Sequence, residues 1–92
     1  MKDKERKSRE LCHTLIDTAG RLGIELIEDK INRKGGVCRV DGRIVVIYDI
    51  HTPWASRAEL ILEALGLMKL DNVYLSPKIR QLLGRKETLL TG

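Results

Sequence analysis

The sequence has no phenylalanine and few residues of several other kinds: one tryptophan, two tyrosines, two prolines and two cysteines among its 92 residues. Proteins that read single-stranded nucleic acids stack bases on several flat rings, so this scarcity argues against a stacking platform. Two cysteines are too few for a disulfide framework. No apolar run approaches the roughly 20 residues that a membrane-spanning helix needs, and the basic N-terminus lacks the apolar core of a signal peptide. We therefore expect a cytoplasmic protein without a membrane partner.

The residue patterns of metal, phosphate and covalent chemistry are also absent. The chain has no CxxC or HxxxH pair for a metal ion, and neither a P-loop nor a GxGxxG loop for phosphates. We therefore predict no metal site, no cofactor, no catalytic residues and no enzymatic activity. One catalytic arrangement stays open, a Cys38–His51 pair, because His51 is expected in a loop after a strand, where functional groups often lie. The other histidine, His13, falls opposite the apolar stripe of its helix and is expected in solvent.

The pair Asp41-Gly42 is the strongest local signal in the chain. It separates two β-rich runs, residues 37–40 and 43–49, and an Asp-Gly pair between such runs favours a type I′ turn and a tight hairpin. Residues 43–49 carry apolar side chains on both faces, which places this strand in the middle of a sheet. Residues 24–28 are predicted to form a preceding strand.

Two helical patterns flank these strands. Residues 5–21 carry an apolar stripe wide enough to pack on a sheet. Ser56 and Glu59 fit a capping box, which predicts a helix over about residues 57–68. This second helix is apolar almost all round, and only a narrow stripe carrying Glu59, Glu63 and Gly66 is polar. We therefore expect it to be the central, buried helix of a small core, with this stripe in solvent.

Ser76-Pro77 is a helix-start signal and Gly84 a stop signal, which together predict a short C-terminal helix. The predicted fold class is therefore α+β, with an N-terminal helix, a small three-stranded and mostly antiparallel sheet with a central hairpin, a buried second helix and this short third helix. We predict a single domain over residues 1–92, because its length suits one domain. Residues 1–5 and 86–92 are predicted to be flexible ends.

The two cysteines fall within predicted elements. Cys12 lies in the apolar stripe of the first helix, and Cys38 lies in a hairpin strand between Val37 and Arg39. Since free cysteine is among the most buried residue types, we interpret both as small buried hydrophobic residues. A bridge between them stays open, because helix and sheet must touch.

The formal net charge is +4, a modest bias toward phosphate backbones or acidic partners. The basic residues are concentrated in the connection before the hairpin, near the hairpin tip and toward the C-terminus. If they converge, a basic binding patch would comprise Lys30, Arg33, Lys34, Arg39, Arg43, Lys78, Arg80, Arg85 and Lys86.

The order of elements resembles the minimal zincin-like metallopeptidases of the ImmA/IrrE type. The resemblance rests on a helix followed by a Gly-Ile-Glu-Leu strand at 23–26, an Asp-Gly-Arg-Ile-Val-Val hairpin at 41–46 and a helix opening at 54–59. That family carries a His-Glu-Leu-Gly-His-like zinc motif in the helix. Aligned on Leu65-Gly66, its positions here read Glu63-Ala64-Leu65-Gly66-Leu67, so both histidines and the general-base glutamate are missing. The resemblance implies a similar scaffold without zinc or peptidase activity.

The chain also resembles short bacterial proteins with a Gly-Gly-x-Cys-Arg hairpin, a resemblance that implies no particular activity. Taken together, these features predict a non-enzymatic small soluble domain that acts through protein–protein interaction, with another protein or a second copy of itself as partner. The first alternative is a nucleic-acid-binding accessory protein that uses a basic face. The second is a degenerate zincin-like scaffold or a cysteine-dependent enzyme built on Cys38 and His51.

Overall fold

A computed structural model describes the backbone of residues 2–91 and the side chains of residues 2–85. The chain forms three helices and three strands in the order α1 (Lys2–Arg21), β1 (Glu25–Asp29), β2 (Gly36–Val40), β3 (Arg43–Asp49), α2 (Trp54–Gly66) and α3 (Pro77–Thr91). The predicted α+β fold is confirmed. The flexibility predicted for residues 1–5 and 86–92 stays a prediction. Residues 2–5 belong to α1, and Met1 and the side chains of residues 86–92 lie outside the described part of the chain.

The three strands form one sheet with the order β1–β3–β2, so β3 occupies the predicted central position. β2 runs antiparallel to β3 through the predicted tight turn, in which Asp41 and Gly42 both have positive φ angles of 51° and 80°. β1 runs parallel to β3. The sheet is therefore mixed, with one parallel and one antiparallel pair of strands, where a mostly antiparallel sheet was predicted. The chain leaves β1 at one edge and crosses past β3 before it forms β2 at the other edge.

The hydrophobic core lies between one face of this sheet and the helices. Paired strand positions present Leu26, Val46 and Val37 to the core, and the helices contribute fully buried leucines and isoleucines. Leu65 of α2 is completely buried, as the helical pattern predicts. Glu63, in the polar stripe of the same helix, is exposed as predicted.

Two helix boundaries differ from the sequence-based prediction. α2 begins at Trp54, with Pro53 as a cap residue that makes no side-chain hydrogen bond, so the Ser56–Glu59 capping box is wrong. α3 begins at Pro77 as predicted, and the Ile79 N–H donates to Ser76 Oγ at 3.4 Å. The helix then continues through Gly84 to Thr91. Gly84 does not adopt the positive φ with which a glycine ends a helix.

Among residues 2–91, no helix combines the length and the hydropathy that crossing a membrane requires.

Candidate binding surface

The sheet has a second face that does not belong to the core. Residues in register across the strands point to the same side of a sheet, and the row formed by Ile27, Ile47 and Gly36 lies on the side opposite Val46. Cys38 and Val40 of β2 lie on this same side. None of these residues belongs to the core cluster that the helices cover. We call this side of the sheet the open face.

The open face exposes apolar side chains at its rim. Val40 is 47% exposed and Ile27 is 36% exposed, at opposite edges of the sheet. On β3, between these edges, Ile47 is half-buried and Val45 is only 3% exposed. Cys38 on β2 is exposed. A sheet normally buries an apolar face against a layer of helices or strands. Exposed apolar residues on a face without such a layer are typical of a surface that binds another molecule.

The connection between β1 and β2 crosses the end of β3 and is held there by Asp49. This aspartate, only 8% exposed, accepts the backbone N–H groups of Ile31 and Asn32 on Oδ1 at 2.9 and 3.0 Å, and that of His51 on Oδ2 at 2.9 Å. Asn32 adopts a positive φ of 52°, a conformation that asparagine tolerates better than most residues. One carboxylate therefore fixes two loops at the edge of the open face.

These backbone donors favour the charged carboxylate and hold the pKa of Asp49 below its ordinary value, with the His51 N–H as the largest cause. Burial acts in the opposite direction and is outweighed. The folded protein therefore stabilises the ionised form of Asp49 more than the protonated form, and Asp49 contributes to the free energy of unfolding. This contribution is fully present above the pKa of an aspartate in the unfolded chain, about 3.9. It is lost as the pH falls through the lower pKa of the folded protein.

Asp49→Asn is therefore expected to destabilise the protein at neutral pH, because an amide nitrogen cannot accept the His51 N–H. Urea denaturation of wild type and variant from about pH 7 to about pH 2 should show a constant difference near neutrality that shrinks below about pH 4. The exposed turn residue Asp71 supplies the control Asp71→Asn. A difference between wild type and Asp49→Asn that stays unchanged into acid would contradict this role of the carboxylate.

The end of this connection lies directly against β3. Gly35 has a φ of 48°, and a Cβ atom there would lie 2.1 Å from the backbone oxygen of Ile47. Only glycine permits this approach. Beside it, a cleft of about 740 Å³ opens along the start of β2; its lining comprises Ile31, Arg33, Lys34, Gly35, Gly36, Val37, Cys38 and Ile47.

The two cysteines occupy different environments. Cys12 is fully buried in the core, as predicted, and burial raises the pKa of its thiol. The prediction that Cys38 is buried is wrong, because β2 is an edge strand and Cys38 points to the open face. Both thiols are free, and α1 packs on the opposite side of the sheet, so no bridge joins them.

Cys38 and His51 are also far apart. Cys38 pairs with Val45, whereas His51 follows Asp49, which lies four residues further along β3. A rise of about 3.3 Å per strand residue puts roughly 13 Å between those two levels of the sheet. This spacing does not place the imidazole within reach of the thiol. His13 is exposed, as predicted, and its ring lies 5.3 Å from that of Trp54.

The basic residues predicted to form one patch lie in several places. Arg33 and Lys34 share the lining of the open-face cleft, and Arg43 lies on the same side of the sheet, paired with Val40. Lys78 lines a different cleft, between α1 and α3. The side chain of Lys30 is exposed in the connection, as is Arg85 on α3, and the Lys86 side chain lies outside the described residues.

Two arginines of this set have partners within the chain. Arg39 points to the helix side of the sheet and donates to the Leu67 backbone oxygen at 3.3 Å. Arg80 donates to the backbone oxygens of Leu70 and Val73 at 3.2 and 2.6 Å. These hydrogen bonds direct both guanidinium groups toward the ends of helices and turns rather than toward the open face.

Arg57 is a structural residue that the sequence analysis missed. It is 7% exposed on α2, where its guanidinium donates to the backbone oxygens of Thr52 and Ile50 and pairs with Glu28 at 3.0 Å. It also lies over the rings of Tyr48 and Trp54, at 4.8 and 4.7 Å from their centroids. The sequence carries one sign of this role: Arg57 lies one turn before the buried Ile61 on an apolar helix. A charged residue at such a position is buried only if it has partners.

Within the described part of the chain, no group of three or more histidine, cysteine, aspartate or glutamate residues is placed to hold a metal ion. Comparisons of the sequence with models of protein families and with curated proteins, and of the fold with solved structures, find no match. The physical features of the open face are therefore the basis for assigning a function.

Proposed function

We propose that this chain is a non-enzymatic protein-binding domain and that the open face, together with the adjoining edge of β2, is its binding surface. The observation that carries the proposal is the exposure of apolar side chains at the rim of the open face. Val40 is 47% exposed and Ile27 is 36% exposed, on the side of the sheet opposite the helices. A partner that covers this apolar rim removes apolar surface from water, at roughly 25 cal/mol for each Å².

Charged residues of the open face add selectivity to this apolar rim. Glu25 and Asp29 lie on the open-face side of β1, whereas Arg43 lies on the same side at the start of β3 and Lys34 lines the cleft beside β2. The β1 margin is therefore acidic, and basic groups lie away from it. Such an arrangement orients a partner whose own charges are complementary.

The same distribution makes nucleic acid a weaker candidate than protein. A phosphate backbone needs several basic groups on one surface, whereas Arg39 lies on the helix side of the sheet and Lys78 between two helices. The open face also carries acidic residues, Glu25 and Asp29, which repel phosphates. A zincin-like ancestry and a bacterial origin stay predictions, drawn from sequence resemblance alone.

The cytoplasm is the proposed compartment. Cys38 presents a free thiol on the open face, and exposed thiols persist where the surroundings are reducing. Oxidising compartments convert such thiols to disulfides, so this site favours a reducing one.

The test replaces exposed apolar residues of equal exposure on and off the open face. Val40→Lys on the open face is expected to abolish capture of the protein's partner from native cell extract, because a charge is placed at the apolar rim that the partner would cover. Leu67→Lys is the matched control, since Leu67 is also 47% exposed but lies at the end of α2. Quantitative mass spectrometry should find the same proteins with wild type and Leu67→Lys and lose them with Val40→Lys.

A second arm of this experiment addresses nucleic acid. Binding of labelled DNA and RNA is measured for the same three proteins at several salt concentrations, since phosphate contacts weaken steeply with salt. Retention of every captured protein by Val40→Lys would overturn the proposed surface. Tight, salt-dependent binding of nucleic acid that Val40→Lys leaves unchanged would favour the basic residues instead.

A further inference from the structure

The outer edge of β2 has backbone groups whose directions follow from the hairpin. A two-residue turn joins β2 to β3, and in a tight turn of this kind the Val40 carbonyl accepts the Arg43 N–H. Backbone groups alternate in direction along a strand, so those of Cys38 and Gly36 also point toward β3. The N–H and C=O groups of Val37 and Arg39 consequently point away from the sheet.

These four outward groups are arranged symmetrically about Cys38. We propose that a second copy of this chain docks here, its β2 running antiparallel to the first about a two-fold axis at Cys38. In this register Val37 of each copy exchanges both backbone hydrogen bonds with Arg39 of the other. The two sheets then join into one of six strands, with the open faces continuous across the junction. The inference rests on the proposed function and names its partner.

The side chains along this edge fit the same two-fold register. Val40, one of the most exposed apolar residues of the sheet, comes opposite Gly36 of the second copy, which has no side chain to obstruct it. Asp41 at the hairpin tip comes opposite Gly35 and beside Lys34 of the second copy, so opposite charges meet at both ends of the interface. Both complementary pairs occur twice, because the axis repeats them.

An edge strand that remained free in the functional protein would normally be protected against pairing. Proline, inward-pointing charges and bulges are the usual protections. β2 contains no proline and pairs with β3 residue by residue without a bulge. Its one charged residue, Arg39, does point to the helix side, but its guanidinium is bound there to the Leu67 backbone oxygen, and its own N–H and C=O stay directed outward. The edge is therefore suited to pairing, and the two-fold complementarity selects a second copy over an unrelated strand.

The first test compares Arg39→Pro with Arg39→Ala by analytical ultracentrifugation over a concentration series. Wild type and Arg39→Ala are expected to reach twice the 10.5 kDa mass of one chain. Proline removes only an outward N–H, so the β2–β3 ladder is kept while two hydrogen bonds between copies are lost. Dimerisation should weaken by roughly 25-fold or more, at about a factor of five for each bond. Circular dichroism checks that both variants fold.

The second test reads the register from Cys38. An antiparallel pair that exchanges no hydrogen bonds has its Cα atoms about 4.5 Å apart, within the range of about 4.4–6.8 Å that a disulfide spans. Oxidised glutathione, added as the oxidant, accepts two electrons and two protons from the Cys38 thiols and leaves as two reduced molecules. A covalent dimer is expected in wild type and in Cys12→Ala, and none in Cys38→Ser.

The outcomes separate this inference from the proposed function. A wild-type chain that stays monomeric at every concentration overturns the second copy as partner, while capture of another protein that Val40→Lys abolishes still supports the binding surface. Equal dimerisation of Arg39→Pro and Arg39→Ala shows that the interface lies elsewhere and also overturns the inference. A dimer that never forms the Cys38 disulfide contradicts the two-fold register.

Discussion

Leu65→Ala is expected to lower the free energy of unfolding by about 2–5 kcal/mol, the usual cost of truncating a leucine in a core. Leu65 is completely buried on α2, the helix that packs against α1, α3 and the sheet. Truncation of this fully buried side chain removes apolar contacts and leaves a cavity in the core. A domain of this size has roughly 5–10 kcal/mol of stability in total. Leu62→Ala, one turn away in the same core, is expected to be severe as well.

Glu63→Ala supplies the control on the same helix. Glu63 is exposed between these two buried leucines, and substitutions of exposed residues usually change stability by no more than about 0.5 kcal/mol. Chemical denaturation of the three variants measures the differences. If Glu63→Ala proves as destabilising as Leu65→Ala, the phase of α2 that buries the leucines is wrong.

The parts of the fold that are local in sequence could be predicted from it. The Asp41-Gly42 turn sets the hairpin because few residues adopt two successive positive φ angles, and the apolar period of residues 57–68 identifies the buried helix. The apolar residues on both faces of β3 also predicted its central place. Each of these inferences depends on neighbours a few residues apart.

The start of α2 could not be predicted in the same way. Sequence favours the capping box of Ser56 and Glu59, but the helix begins earlier, at Trp54. The first helical hydrogen bond runs from the Arg57 N–H to the Pro53 carbonyl at 3.0 Å, and the Arg57 guanidinium reaches back to Thr52, Ile50 and Glu28. Glu28 lies on another strand, and such distant partners are invisible to a local pattern.

The candidate site was predicted only in outline. Exposure of Cys38 depends on β2 being an edge strand with no helix on its outer side, which follows from topology rather than from the residue's own preference for burial. The role of Asp49 likewise depends on a connection 17 and 18 residues earlier in the chain folding back onto it. The Gly35-Gly36 pair is visible in the sequence, but the close approach of Gly35 to the Ile47 backbone oxygen, which borders the cleft, follows only from the structure.

Gly35→Ala is expected to cost roughly 2–5 kcal/mol, through the strain of a positive φ and through overpacking. The new Cβ would lie 2.1 Å from the Ile47 backbone oxygen and 2.8 Å from the Tyr48 Cα, so no side-chain rotation can relieve the contact. The start of β2 must then move away from β3, which alters the cleft and the edge that the second copy is proposed to join.

Gly36→Ala is the matched control, because a Cβ at Gly36 meets nothing within 4 Å and its φ is not positive. Urea denaturation should therefore separate two neighbouring glycines by several kcal/mol, with Gly36→Ala close to wild type. Amide hydrogen exchange gives the location of the change: in Gly35→Ala, protection should fall first in residues 36–40 and their partners in β3, while α1 and α2 keep theirs. Equal stability of the two variants would contradict the close approach of Gly35 to β3 on which the shape of the binding surface depends.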